Sequence, residues 1–383
     1  MDRLRSDESS EWLAWSDWLV VMTALMLLLL GLIRSARADD VTGVVPAMAF
    51  SDVEDLGVEC PPQACGPACC DPICHVLDPW GVDPVWSGRT EALLLWRDAP
   101  QSVPIYSLRD AGTGLAAGSA LNASNLASGM AAGPRFTLFR HTGDNGAIEF
   151  NYFRVQSFTA TKTLPTNGAG YLQDDAFFCC PSTTPYSSVT GSLSSAFQSF
   201  ELNRRFPTDG GFQWLTGFRW VEWNDTFGLS SVLPVPGVAP ETYATSTFND
   251  LYGWQFGADS ILLGLGSPWR LEGLAKAGVY YNQAGQASSA FYPLDGTALA
   301  VRTSKPATAF VGEIGLTGVY DIADWLSVRA GYAAFWLDGL ALATNQVKQC
   351  SICNSPFADP QGPTHVGGGV FVQGITLGLE GRW

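Results

Sequence analysis

The sequence predicts an all-β fold: a closed antiparallel transmembrane β-barrel of about 10–12 strands with long extracellular loops. Three observations carry this. Charged residues make up only 15% of the 383 residues, against roughly 25% in ordinary soluble domains, while the apolar share of 46% is normal. Long segments alternate between apolar and polar residues with the two-residue period of a strand. The connections between these segments are alternately short and long, as in a barrel with tight turns on one rim and extended loops on the other.

The composition also excludes classes. Glycine (41) and aromatic residues (14 Trp, 11 Tyr, 21 Phe) replace the missing charges, and only four lysines are present. A net charge of −15 does not suit a nucleic-acid-binding surface, which is normally basic. The apolar content is too high for disorder. A cytosolic α/β enzyme would carry more Lys and Glu and less Gly.

The N-terminal segment reads as an export signal. Trp18 to Ile33 is an apolar run of sixteen residues, short of the about twenty needed to span a bilayer as a helix. Ala36-x-Ala38 follows as a small-x-small cleavage pattern, so residues 1–38 are expected to be a signal peptide. The stretch before the run is unusual for a signal: Asp2, Asp7, Glu8, Glu11 and Asp17 against Arg3 and Arg5 give −3. A misplaced start codon or a retained anchor would also account for it. Cleavage after Ala38 would remove five acids and four bases, leaving −31 + 17 = −14.

Residues 39–84 form a Cys/Pro-rich stretch. Cys60, Cys65, Cys69, Cys70 and Cys74 crowd together, and Pro61, Pro62, Gly66, Pro67, Pro72 and Pro79 keep the segment out of regular structure. It is a linker, a plug or a periplasmic tether. Cys179, Cys180, Cys350 and Cys353 complete nine cysteines. In an exported chain these are disulfide candidates, with an odd one left over. Cys70 to His75 is one residue too long for a C-x-x-C-H haem attachment motif. No cofactor and no metal site is expected.

From Val85 onward, ten strands are expected at 85–97, 133–141, 147–158, 193–206, 212–224, 249–263, 269–283, 308–320, 325–338 and 366–383. A further pair could lie in 100–131 or 285–306. The segment 269–281 shows the pattern: Trp269, Leu271, Ala275, Ala277, Val279 and Tyr281 share one face, and Arg270, Glu272 and Lys276 the other. At ten residues or more, these segments exceed the five or six of an average soluble strand. Short connections fall near 142–146, 207–211, 264–268 and 321–324; long ones at 98–132, 159–192, 225–248, 284–307 and 339–365.

A bilayer leaves no water for unpaired backbone groups, so a spanning sheet must close on itself. The apolar face then meets lipid and the other face the lumen. Trp96, Trp220, Trp269, Trp325 and Trp336 are expected at the two interfaces. The lumen is expected to be lined by Glu91, Arg97, Arg135, Glu149, Glu201, Arg219, Asp259, Arg270, Glu272, Lys276, Glu313, Arg329, Glu380 and Arg382. An arginine facing lipid near mid-membrane costs about 2–4 kcal/mol, so such a set cannot point outward. The competing fold is a soluble β-sandwich with the apolar faces buried between two sheets.

The last strand ends with Ile375, Leu377, Leu379 and Trp383 on one face. This resembles the assembly signal of bacterial outer-membrane proteins. The chain from about Trp86 to Trp383 also resembles the beta-barrel porin family, bacterial outer-membrane proteins of largely unknown function. The stretches that carry it include Thr90–Arg97, Gly133–Leu138, Ser199–Asn203, Gly217–Glu222, Asn249–Ala258, Lys276–Asn282, Arg329–Tyr332, Trp336–Ala341 and Gly378–Trp383.

The resemblance implies location in the outer membrane, contact with its lipid and with the assembly machinery, and a porin-like channel for passive diffusion of small solutes. The alternative is a non-conducting structural or surface-interaction barrel displaying disulfide-stiffened loops. The chain is not expected to be an enzyme: its three histidines, His75, His141 and His365, have no evident Ser or Asp partners. No P-loop or dinucleotide fingerprint is present. Oligomeric state is left open.

Overall fold

The structure is a computed structural model. It describes residues 85–383 except 111, 143–145, 167–169, 175–185, 209–211, 265–266, 295 and 348–363. The export signal, the Cys/Pro-rich stretch and all nine cysteines lie outside the described residues. Pro84–Arg382 is one compact unit.

Thirteen strands are formed: β1 (Trp86–Arg97), β2 (Pro104–Asp110), β3 (Ala116–Asn122), β4 (Met130–His141), β5 (Ala147–Pro165), β6 (Gly170–Asp174), β7 (Ser188–Pro207), β8 (Phe212–Val232), β9 (Glu241–Leu263), β10 (Trp269–Tyr292), β11 (Thr297–Ala323), β12 (Leu326–Leu340) and β13 (Gly368–Arg382). Ten of them close into an antiparallel barrel in the order β1-β13-β12-β11-β10-β9-β8-β7-β5-β4. Closure is made by β1, which pairs with β13 from Ser87↔Arg382 to Arg97↔Val372 and with β4 from Trp86↔Arg140 to Trp96↔Met130. The ten expected strands are these ten.

Two expected long connections are instead strand. Most of 225–248 extends β8 and β9, and most of 284–307 extends β10 and β11, which pair without interruption from Trp269↔Tyr320 to Tyr292↔Thr297. Only residues 233–240 and 293–296 link them. Alternation persists through these extensions with its polarity reversed, so a reading that required an apolar outer face stopped at the reversal.

β8 shows the reversal in one strand. Its outward residues run Trp214, Thr216, Phe218, Trp220 and then Glu222, Asn224, Thr226 and Ser230. Its inward residues run Leu215, Arg219 and then Val221, Trp223, Phe227 and Leu229. Near the short-turn rim the wall is apolar outside and charged inside. Beyond Trp220 it is polar outside and apolar inside, as in a water-soluble barrel. The change marks where the outer face leaves hydrocarbon for water. On β10 the apolar outer face runs from Trp269 to Tyr281. At about 3.3 Å per residue and a tilt of about 40° this spans roughly 30 Å, enough for a bilayer core and its interfaces.

The segments 98–129 and 166–187 contribute a second, three-stranded sheet, β3-β2-β6. It caps an apolar cluster that includes Ile105, Leu121, Leu126 and Leu172 from the cap, and Val189, Leu193, Phe227 and Leu229 from the barrel wall. Tyr106 and Tyr186 meet edge to face at 5.8 Å. Tyr106 Oη lies 2.7 Å from Ser231 Oγ, and Tyr186 Oη donates to Glu241 at 2.6 Å. At the tip of β2, the Asp110 carboxylate accepts from the amides of Thr113 and Gly112 at 2.8 and 3.0 Å. These N–H groups hold its carboxyl below the usual range.

Close strand approach is fixed by glycine at a few positions. A Cβ on Gly374 of β13 would stand 2.0 Å from the Leu94 carbonyl oxygen of β1. Only Gly lets the backbones come that close at the closing seam. Gly374→Val is therefore expected to block closure. On unboiled gels its membrane fraction should lose the heat-modifiable band that the wild-type barrel gives; a retained band would contradict this account of the seam.

Candidate functional site

The lumen is the candidate site, because strand alternation directs every second side chain of ten strands into it. The structure places the fourteen charged side chains singled out from sequence on the inner side of the wall, where they meet in ion pairs. Two groups form. Across the middle, signs alternate along one chain of contacts: Asp259, Arg205, Glu149, Lys276, Glu201, Arg219, Glu313, Arg135. Lys276 Nζ lies 2.8 Å from Glu201 and 3.6 Å from Glu149. Arg219 lies 3.0 Å from Glu313 and 3.6 Å from Glu201, and Arg135 lies 3.0 Å from Glu313. Arg205 holds both Glu149 and Asp259. The chain crosses the barrel, joining β5 to β10 and β11 to β4.

The second group lies nearer the short-turn rim. Arg329 binds Glu272 and Glu380 at 2.7 Å each and lies 3.8 Å from Glu91. Arg89 binds Glu380 at 2.8 Å. Arg270 bridges Glu272 at 2.7 Å and Asp321 at 2.8 Å, and Arg382 lies 3.3 Å from Glu380. Between the groups is a cavity of about 60 Å³, lined by both signs of charge, including Arg89, Glu91, Arg135 and Asp259. It holds no more than a few waters.

Above the ion pairs the lumen is apolar. Phe153 (β5), Phe197 (β7) and Phe335 (β12) form a triangle with ring centroids 4.8, 5.4 and 5.6 Å apart. Trp223 stacks beside Phe158 at 6.2 Å. Phe153, Phe197, Phe335 and Trp223 are all fully buried. Arg135 joins the layers by lying over Phe153 at 5.2 Å and Phe335 at 5.5 Å. Above the plug, Arg97 grips Asp225 with two hydrogen bonds at 2.9 and 3.2 Å and lies 5.2 Å over Trp223.

Arg89, Arg205, Asp225 and Asp321 belong to this network but were not singled out from sequence. Each shares the parity of an expected lumen residue on its own strand: Arg89 with Glu91, Arg205 with Glu201, Asp225 with Arg219, Asp321 with Glu313. Carrying parity to the strand ends would have found them. With them, nine basic and nine acidic side chains form the described ion pairs. The network is formally neutral, so the chain's acidic excess lies elsewhere.

The remaining expected positions are on the outer face. Ile375, Leu377 and Leu379 are 42%, 48% and 38% exposed on β13, and Trp383 follows it, half-buried. Trp96, Trp269 and Trp325 are exposed; Trp220 and Trp336 are half-buried. Among the described residues, no three His, Cys, Asp or Glu side chains stand where they could hold a metal ion. His141 lies 2.9 Å from Ser87 Oγ.

Removing the central Arg219 leaves Glu201 and Glu313 each short of a partner in a buried site. Breaking such a pair costs about 3–5 kcal/mol. Arg219→Met is expected to lower the denaturant midpoint of the folded barrel markedly, and Arg219→Met with Glu313→Gln to recover part of the loss. Equal midpoints for wild type and Arg219→Met would remove the network from the stability account.

No family model and no curated protein matches this chain. Among solved structures, the outer-membrane protease OmpT from Escherichia coli aligns with 78% of this chain and 96% of its own, at 9% identity and a TM-score of 0.41. The toluene transporter TodX from P. putida aligns with 79% of this chain and 91% of its own, at 9% identity and a TM-score of 0.31. The expectation that the chain is not an enzyme is corrected here: one of the aligned barrels is a protease, and the expectation is dropped. At these values the likeness assigns no activity, and the porin-family resemblance stays a resemblance. What the chain's own geometry shows is the fold: a closed ten-stranded antiparallel β-barrel with an apolar outer belt.

Proposed function

We propose that this chain is an outer-membrane barrel that does not conduct at rest: a lipid-embedded scaffold that carries a capped, water-facing extension. The observation that carries this reading is the double closure of the lumen. Opposite walls are joined first by an alternating chain of eight charged side chains and then by the Phe153–Phe197–Phe335 triangle.

Size is consistent with closure. Eight strands leave a lumen that side chains fill, and sixteen or more leave a wide aqueous channel. Ten strands need large residues to fill the difference, and here arginines and aromatics do so. A porin-like channel for small solutes is the second reading, favoured by the charged cavity below the plug. It requires the plug to move. The neutral network also leaves no unbalanced charge to select ions. In either reading the partners are membrane lipid and the machinery that recognises the last strand ending at Trp383.

Single-channel recording on purified barrel in planar bilayers separates the two. The scaffold reading expects a silent membrane across the usual voltage range, with insertion verified by protease protection. Discrete steps from the wild-type protein would overturn it in favour of the channel.

A further inference from the structure

After β12 the chain turns into the barrel. Gly339 makes the turn at φ 81°, where a Cβ would stand 2.4 Å from the Thr308 carbonyl oxygen. From there a strap, residues 341–347, crosses the lumen from β12 to β8 and β9, against which its single 3-10 turn (Ala343–Gln346) packs. Leu342 is buried in the cluster that holds Phe153, Phe197, Phe335 and Trp223. Ala343 and Val347 are buried in the second cluster, under the cap. The strap therefore lies over the aromatic layer and separates it from the extension.

Its hold on the far wall is narrow. Among the described residues, its hydrogen bonds to β8 and β9 all pass through one side chain, Asn249, which stands in register with Trp223. Asn249 Nδ2 donates to the Ala341 carbonyl at 2.9 Å, and the Ala341 amide donates to Asn249 Oδ1 at 2.7 Å. The same Nδ2 donates to the Trp223 carbonyl at 3.0 Å, and Asn282 Nδ2 donates to the same Oδ1 at 3.1 Å. A fully buried amide thus uses every donor and acceptor position it has. The other bonds of the strap are local: Asn345 to Leu342, and Gln346 to Leu342 and His365. Thr344 Oγ1 in the strap and Asn282 Oδ1 beside the latch are buried without a hydrogen-bond partner, which costs stability there. A ladder of bonds loosens stepwise. A fastening at one side chain is made or lost at once, which gives the strap two discrete arrangements.

We propose that residues 341–347 are a latched lid over the aromatic layer, with Asn249 as the latch. Release of Ala341 lets the strap swing about Gly339 into the extension as a unit. Leu342 leaves the aromatic layer, which is then open from the water-facing side, while β12, β13 and the ion pairs below stay in place. The inference concerns the strap alone. It holds whether or not the lumen conducts, which single-channel recording reports separately.

The experiment is hydrogen–deuterium exchange, read by mass spectrometry, on the folded full-length barrel in micelles. In wild type the amides of residues 341–347 are expected to exchange about tenfold faster than those of β12, because the strap opens without its neighbours. Asn249→Ala removes both bonds to Ala341 and is expected to speed exchange of the strap about tenfold further, with β12 and β13 unchanged. Asn282→Ala, which removes the brace on the latch and on the Gly339 carbonyl, is expected to act on the same peptide by a smaller factor. That variant and the wild-type comparison keep the test valid if Asn249→Ala does not fold. Strap exchange no faster than that of β12 in wild type would refute the lid, as would no acceleration in either variant. Equal acceleration of the strap, β12 and β13 would also refute it, since that is the mark of an asparagine that only stabilises the barrel.

Discussion

Charge cancellation inside a closed wall is the constraint on which the rest of this structure depends. An outer face that meets hydrocarbon can hold almost no charge, so the charged residues of the spanning segments must share the lumen. There they are desolvated, and a buried charge is tolerable only when paired. The lumen answers with alternation: Arg219 sits between Glu201 and Glu313, Lys276 between Glu201 and Glu149, and Arg205 between Glu149 and Asp259. These contacts run between strands far apart in sequence, so the network also ties opposite walls together. The result is a barrel whose opposite walls are tied together by charged residues of the kind a channel would use to attract solutes.

The second organising feature is the reversal of polarity along each long strand. One wall serves two solvents. Below Trp220 the wall is apolar outside and charged inside; beyond it Glu222 and Asn224 face outward while Trp223, Phe227 and Leu229 face inward. The extension therefore has a hydrophobic core of its own, completed by the small β3-β2-β6 sheet, and is stabilised as a soluble β-structure would be. The aromatic triangle stands where the two regimes meet, with Arg135 touching both.

Much of the lumen was legible in the primary structure, because parity is a local property. Once Leu202 and Phe200 are taken as outward, Glu201, Asn203 and Arg205 follow as inward without any tertiary knowledge. Arg205 was passed over beside Arg204, and Asp225 lay past the point where β8 was expected to end. The aromatic plug was not legible. Phe153 and Phe197 stand 44 residues apart and Phe335 a further 138 along, and each reads singly as one more apolar strand residue. Their meeting depends on barrel closure; the bulge between Val155 and Phe158, where Ser157 adopts φ 69°, in turn keeps Phe158 inward beside Trp223.

The scarcity of charge and its confinement to one face of long alternating strands already determined that this chain closes into a barrel, since no open sheet can satisfy its backbone in lipid. The same periodicity gave a count of about 10–12 strands and the parity of the charged residues on them. Whether the lumen is open was decided only in three dimensions. It turns on which side chains from opposite walls come within about 3–6 Å of one another, the range of ion pairs and ring contacts. Alternation is blind to that, because it records which way a residue points and not what it meets.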